Sequence, residues 1–272
     1  MPSVEQNLEL WNKEYDWSGH GDEWSNPWGG TDRMWRNSIL PRIRQFLPAK
    51  TILEIAPGHG RCTQFLKGYC EHLMIVDLSP RCIEACRERF AGDSHISYYV
   101  NDGKSLEMIP DRSVDFVFSF DSLVHVQADV MESYVRQLAV KLKPTGAGFI
   151  HHSNFGAYGG ISSFARLLKR FGPVGKKFQE SSFAIHPVWR GDDMTAELFN
   201  DFCEKYGLYC VHQELINWAN RRYLIDAIST FVAASKPGMV RVVKRNPHFM
   251  EEVERSRAEA ERSSSPAGKG AA

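Results

Sequence analysis

Short apolar runs alternate with longer amphipathic segments through most of this 272-residue chain. The runs predict strands, and the segments between them carry apolar residues at helical spacing. Predicted strands cover 51–56, 73–78, 95–100, 114–120, 147–152, 208–214 and 229–234. Predicted helices cover 61–70, the segment from Pro80, 130–143 and 195–206. This alternation predicts an α/β fold with a doubly wound, seven-stranded, mostly parallel sheet.

Three segments fall outside that repeat. Residues 1–48 are rich in tryptophan and charge and predict a helical flap before a main domain over 49–240. Residues 154–194 interrupt the repeat after the fifth strand, where α/β proteins bind ligands, and predict a substrate cap. Residues 246–272 become charged and then rich in Ser, Gly and Ala, so we expect a frayed helix followed by disorder.

The first predicted strand leads into a glycine-rich turn that is typical of nucleotide-type cofactor sites. Glu54 stands in the strand, and Gly58 and Gly60 open the next helix. Asp77 ends the second strand, 19 residues after Gly58. Glycines let the backbone approach a ligand closely, and an acid after the second strand can bind ribose hydroxyls.

Two details argue against a dinucleotide cofactor. Thr63 occupies the position of the third glycine in the dinucleotide fingerprint, and Glu54 places a charge where a dehydrogenase needs none. A carboxylate there can bind a cationic group such as an amino-acid ammonium. Asn101-Asp102-Gly103 follows the third strand, where an Asp can accept from an adenine amine.

With these residues in view, the chain resembles the class I S-adenosylmethionine-dependent methyltransferases over residues 50–235. Ala56-Pro57 departs from the glycine often found in that loop. Phe120-Asp121 matches the loop that borders the methionine part of the cofactor in that family. The resemblance implies S-adenosyl-L-methionine as cofactor, bound by Glu54, Ala56, Gly58, Gly60, Asp77, Leu78, Asn101, Asp102, Gly103, Phe120 and Trp24.

Five of the seven tryptophans fall between residues 11 and 35, a pattern similar to a methyltransferase subgroup found beside glycan and natural-product genes. Trp11 and Trp35 lie in amphipathic surroundings and are expected to pack the flap on the sheet. Trp17, Trp24 and Trp28 lie among Gly, Asp and Ser, so we predict that they cover the cofactor or stack on the acceptor.

Methyl transfer to a hydroxyl is helped by a base near the acceptor. The candidates after the fourth and fifth strands are Asp121, His125 and His152. Strand alternation places His151 and His152 on opposite faces, and His152 is preferred because it stands nearer the strand's end. Acceptor-binding candidates are Asn154, His186 and Arg190. The donors near Asp121 suit Mg²⁺ poorly, so no metal is expected.

Composition limits the partners and the cellular location that we expect. Lys plus Arg and Asp plus Glu both number 33, which argues against a nucleic-acid partner. No apolar run reaches membrane-spanning length, and six scattered cysteines are typical of reduced cytoplasmic proteins. A homodimer is possible.

We therefore expect an O-methyltransferase acting on a sugar or polar natural product. N- or carboxylate methylation, or cofactor binding without catalysis, remain alternatives, and an NAD-dependent oxidoreductase is disfavoured.

Overall fold

The computed structural model describes residues 3–159, 190–218, 223–235 and 237–264. Its centre is one sheet of eight strands in the order β3-β2-β1-β4-β5-β7-β6-β8. The strands are β1 (Ala49–Ile55), β2 (Cys70–Asp77), β3 (Ile96–Val100), β4 (Val114–Ser119), β5 (Leu142–Ser153), β6 (Tyr209–Ile216), β7 (Asp226–Val232) and β8 (Val242–Asn246). All neighbours pair in parallel except β7, which runs antiparallel to β5 and β6. The predicted α/β fold with a mostly parallel sheet is confirmed.

Helices flank the sheet in the order that the pattern predicted. They are α1 (Val4–Glu9), α2 (Thr31–Met34), α3 (Leu40–Ile43), α4 (Thr63–Leu66), α5 (Pro80–Arg89), α6 (Ala128–Lys141), α7 (Ala196–Lys205) and α8 (Phe249–Ser264). Ser79 caps α5 by accepting from the amide of Cys82, and Pro80 occupies the first turn. Thr195 caps α7 in the same way through Leu198.

Strand β8 was not predicted. It lies at the edge of the sheet and pairs in parallel with β6. Four of its five residues are exposed, so the strand shows none of the buried apolar alternation on which sequence prediction depends. The sheet therefore has eight strands rather than seven, and it continues beyond the boundary expected at residue 240.

Two elements depart most from their predicted bounds. The helix expected over 61–70 is one α-helical turn, α4, followed by a 3₁₀ turn at Lys67–Tyr69, because β2 already begins at Cys70. Strand β5 begins at Leu142, five residues before the predicted start, because Val114 of β4 pairs with Leu142 ahead of a bulge.

The N-terminal segment packs on one face of the sheet, where a buried cluster joins Trp28, Met34 and Trp35 to Phe118 and Phe149. Helices α6 and α7 cover the other face. Their buried side chains pack on the apolar residues of β1, β4 and β5 that point to that side. The flap is therefore part of the core, and its aromatic residues are fixed in position where they meet the carboxyl ends of the strands.

Helix α8 is docked on the fold. Phe249 and Val253 are fully buried, and Glu252 pairs with Arg42 at 3.3 Å. The helix expected in the C-terminal segment is present, and Phe249 and Val253 pack it into the core. Residue 246 is therefore not the start of a disordered tail. Residues 265–272, like 160–189 of the expected cap, lie outside the described part of the chain. Within that part, no helix combines the length and apolarity that a membrane span requires.

Candidate functional site

A cavity, partly open to solvent, lies where β1, β2 and β4 end, beneath the N-terminal segment. Its floor comes from the glycine-rich loop and the residues that follow these strands. Its roof comes from flap residues, from α1 to Trp24. The lining includes Asn7, Trp11, Trp17, His20, Trp24, Glu54, Ala56, Gly58, His59, Arg61, Asp77, Leu78, Gly103, Phe120, Asp121, His125 and Tyr134. Most of the cofactor residues predicted from sequence therefore meet in one cavity.

The loop after β1 is built from residues with positive φ. Gly58 and Gly60 have φ of 58° and 86°, a region that favours glycine. A Cβ at Gly60 would lie 2.5 Å from the Phe90 ring, so close packing against α5 also requires a glycine there. Ala56 adopts φ of 57° without being a glycine. The residue that departs from the glycine pattern therefore takes a left-handed conformation that a glycine adopts without strain.

Glu54 is a buried acid at the cavity wall. Thr63 donates a 2.6 Å hydrogen bond from its hydroxyl to the Glu54 carboxylate. Burial raises the pKa of Glu54 to about 8, although this hydrogen bond acts in the opposite direction. Thr63, which stands where the dinucleotide fingerprint has its third glycine, therefore hydrogen-bonds to Glu54. A cationic ligand group beside Glu54 would stabilise its ionised form.

Asp77 ends β2 and is fixed by two backbone donors. Its Oδ2 accepts from the amide of Gly58 at 3.1 Å, and its Oδ1 accepts from Ser79 at 2.8 Å. Burial raises the Asp77 pKa to about 6, against the effect of these hydrogen bonds. A carboxylate has about four lone-pair sites, so Asp77 keeps room to accept from a ligand hydroxyl.

The residues after β3 divide into those that line the cavity and those that shape the loop. Gly103 and Leu78 line it. Asn101 turns away, donating to the carbonyl of Ser105 and to the hydroxyl of Tyr134. Asp102 is exposed and accepts from the amides that follow it. Both side chains serve the turn through these hydrogen bonds, and their direct binding of the cofactor stays a prediction.

Asp121 and Arg61 form an ion pair inside the cavity. Oδ2 of Asp121 lies 3.0 Å from Nη2 of Arg61, and both side chains are largely buried. The other amino group of Arg61, Nη1, is buried and has no hydrogen-bond partner in the described part of the chain. An unpartnered guanidinium nitrogen at the cavity wall is suited to a ligand carboxylate.

The three tryptophans assigned to ligand binding take different places. Trp17 lies over Gly58 and stacks on His59, with ring centroids 4.2 Å apart. Trp24 also lines the cavity, and its indole N–H donates to the Tyr15 hydroxyl. Trp28 is fully buried and donates to Ser38 at 2.7 Å. The prediction for Trp28 is wrong, because its ring is a core residue.

The two candidate histidines also separate. His125 lines the cavity, with its ring 5.5 Å from that of Trp11. His152 lies on the opposite face under α7, stacked on Phe199 at 4.6 Å and 2.8 Å from the Ser229 hydroxyl. Burial lowers the His152 pKa to about 4. The choice of His152 over His151 as the residue facing the site is therefore wrong.

The acceptor residues expected after β5 are engaged elsewhere. Asn154 is buried, donates to the carbonyl of Leu224 and accepts from Ala196 at the start of α7. Arg190 forms a two-point ion pair with buried Asp226, at 2.8 and 3.0 Å. Both residues are structural, against the prediction. His186 lies outside the described residues.

Sequence reasoning missed Arg61, Trp11 and Tyr134, which line the cavity. Arg61 directly follows the glycine turn, and that position was the one available signal for it. Trp11 gave no such signal, because its amphipathic neighbours are equally typical of a packed helix. Trp11 reaches the site only because the flap folds over the strand ends.

Comparisons with known proteins agree with this geometry. Residues 52–146 match the family described as a methyltransferase domain. The chain is 33% identical over 121 residues to phosphoethanolamine N-methyltransferase 1 of Triticum aestivum, covering 42% of this chain and 24% of that protein. It is 26% identical over 96 residues to the phosphoethanolamine N-methyltransferase of Plasmodium falciparum, covering 35% and 36%. The chain thus spans well under half the length of either relative.

Among solved structures, an S-adenosylmethionine-dependent methyltransferase from Leishmania major has the same fold, with a TM-score of 0.57 and 10% identity. The alignment covers 84% of this chain and 82% of that one.

The matched domain, the fold and the site together define the class: residues 52–146 form a methyltransferase domain, the fold is that of the class I S-adenosylmethionine-dependent enzymes, and S-adenosylmethionine is the cofactor that this domain indicates. The buried acids and the unpartnered nitrogen of Arg61 fit the charged amino-acid end and the ribose of that molecule. In the described ranges, no three His, Cys, Asp or Glu side chains are grouped to hold a metal ion.

Proposed function

We propose that the chain transfers the methyl group of S-adenosylmethionine to a hydroxyl of a small molecule, a sugar or other polar natural product. The observation that carries the proposal is the position of His125. It shares one cavity with the acids and the arginine that suit the cofactor. A histidine is the most common general base near neutral pH.

In this proposal, three side chains hold the cofactor. Glu54 binds its ammonium group, Arg61 its carboxylate through Nη1, and Asp77 the ribose hydroxyls. The cofactor supplies a methyl group on an activated sulfonium, so the protein needs no nucleophile of its own. What the chain contributes is alignment, and a displacement reaction depends strongly on that.

His125 takes the acceptor's proton as the new bond forms. Asp121, also considered as a base, is paired with Arg61 at 3.0 Å and is proposed instead to orient the arginine. Trp11, Trp17 and Trp24 exclude water and offer aromatic faces to the apolar side of an acceptor. The proposal requires no metal ion, so a chelator should leave the rate unchanged.

N-methylation of a small amine is the second candidate. It is favoured by the names of two curated relatives, both phosphoethanolamine N-methyltransferases. The aromatic wall also suits it, because indole faces attract cationic nitrogen compounds. An amine acceptor depends less on a base, so the two candidates predict different effects of removing His125.

The test is methyl transfer to a panel of glycosides, phenols, amines and acids, preceded by calorimetry with S-adenosylhomocysteine and NAD. We expect binding of S-adenosylhomocysteine alone and turnover with a hydroxyl acceptor. His125→Asn should lower kcat by about 10²–10⁴-fold, the range for general bases, while the affinity for S-adenosylhomocysteine is kept.

The matched control is His152→Asn, which removes a buried histidine that faces away from the cavity. It should reduce thermal stability and leave kcat unchanged. Full activity of His125→Asn with an amine acceptor would support N-methylation. Binding of S-adenosylhomocysteine without turnover of any acceptor would support a non-catalytic binding protein. Binding of NAD in place of S-adenosylhomocysteine would contradict O-methylation and N-methylation alike.

A further inference from the structure

Asp121 is held from two sides. Its side chain pairs with Arg61, and its backbone amide donates to Nδ1 of His151 at 3.2 Å. The residue has φ of 62°, a left-handed conformation that costs a non-glycine residue about 1 kcal/mol or more. A residue in that conformation stays there only if its surroundings fix it, and the hydrogen bond to His151 is one such constraint.

A buried carboxylate lies behind His151, close to Nε2 but without hydrogen-bond geometry. Nε2 of His151 lies 3.4 Å from Oδ2 of Asp226, and the His151 ring packs between Phe120 and Trp218. Asp226 is bound at both oxygens by Arg190, whose guanidinium also lies over the Trp218 ring. Arg190 lies near the end of the inserted segment and is the first described residue after 160–189.

The charges in this group determine which nitrogen of His151 carries the proton. Burial alone would raise the pKa of Asp226, but the Arg190 guanidinium bound to both oxygens holds it well below its usual range, so the carboxylate is ionised. An anion beside Nε2 favours a proton on that nitrogen. Nδ1 then has its lone pair free to accept from the Asp121 amide, in agreement with the observed hydrogen bond.

We propose that His151 is a positioning residue for cofactor binding. Arg190 and Asp226 set its tautomer, His151 fixes the backbone of Asp121, and Asp121 orients Arg61 toward the cofactor carboxylate. The chain of contacts joins the end of the inserted segment to the cofactor cavity across β7, β5 and β4. The proposal rests on the role of Arg61 given under the proposed function.

The experiment compares two substitutions at the same position. His151→Asn retains an acceptor near the place of Nδ1, whereas His151→Phe keeps an aromatic ring and removes the acceptor. Affinity for S-adenosylhomocysteine is measured by calorimetry on the full chain, with thermal stability recorded in parallel. We expect His151→Phe to weaken binding about tenfold, the effect of one lost hydrogen bond, and His151→Asn to restore most of it.

His152→Phe is the control, because this neighbour is equally buried and faces α7. It should lower stability without changing affinity. A second readout uses the wild-type protein: ¹⁵N NMR of the His151 ring should show the neutral form with the proton on Nε2. Equal affinity of the Phe and Asn variants, or a proton on Nδ1, would overturn the proposal. If the wild type itself fails to bind S-adenosylhomocysteine, the proposed function has failed instead.

Discussion

The indole of Trp17 lies directly on Gly58: a Cβ added at Gly58 would be 3.0 Å from Cη2 of Trp17. The flap therefore touches the cofactor loop itself and encloses the cavity from above. A second contact supports the same closure, since Asn12 accepts from the hydroxyl of Ser79 at the start of α5. Closure of this kind links the fold of the N-terminal segment to ligand binding.

The first prediction concerns this contact. Gly58→Ala should lower the free energy of unfolding by roughly 1–2 kcal/mol, because alanine is strained at positive φ. It should also displace Trp17, raise the protease sensitivity of the flap and weaken S-adenosylhomocysteine binding. Gly207→Ala is the matched control, with φ of 76° and no atom within 4 Å of the added Cβ. Equal effects of both variants on binding would show that the Trp17 contact is unimportant.

The second prediction concerns pH. The pKa of Glu54, about 8 in the unliganded fold, lies above its ordinary value of 4.5. Its contribution to stability is therefore complete below pH 4.5 and is lost as the pH rises through 8. A ligand ammonium needs the ionised form, so affinity for S-adenosylhomocysteine should increase between pH 6 and 8, by at most about tenfold per pH unit. Calorimetry across this range should show no such slope for Glu54→Gln.

The third prediction concerns Arg61. Arg61→Lys keeps a positive charge for Asp121 but removes the second amino group that has no partner in the described chain. Affinity for S-adenosylhomocysteine should fall about tenfold or more, the effect of a lost charge-assisted hydrogen bond. Methylthioadenosine, which has no amino-acid end, should bind the variant and the wild type equally. A parallel loss with both ligands would mean that Arg61 acts only on the shape of the loop.

The fourth prediction separates two tryptophans. Trp28→Ala removes a fully buried ring and should cost about 3–5 kcal/mol of stability, with little change in affinity for the protein that remains folded. Trp24→Ala removes a cavity residue and should weaken ligand binding with little loss of stability. Urea unfolding and calorimetry on both variants measure the two quantities. A stability loss for Trp24→Ala as large as that for Trp28→Ala would place Trp24 in the core as well.

The glycine turn and the acids around it could be read from the sequence because each depends on neighbours in the chain. Gly58 and Gly60 are needed by local backbone angles, and Asp77 directly ends a strand. Parallel strands bring their carboxyl ends to one edge, so these residues meet whatever the rest of the fold does. The cofactor class followed from this local information.

The histidines show where that information ends. Alternation along β5 requires His151 and His152 to point to opposite faces, and they do. It cannot say which face carries α7 and which adjoins Asp121, because helix packing decides this. The position of His152 nearer the end of β5 therefore did not identify the histidine that faces the site.

The sequence by itself determined the α/β fold, the cofactor loop and the positions of its glycines and acids, since these follow from local periodicity and turn geometry. Only the tertiary structure decided that Arg190 binds Asp226, that Trp28 is in the core, and that Arg61 has an unpartnered nitrogen within the described chain. A charged or aromatic side chain can have many partners. The one it finds depends on elements distant in the chain, which pack together only in the folded protein.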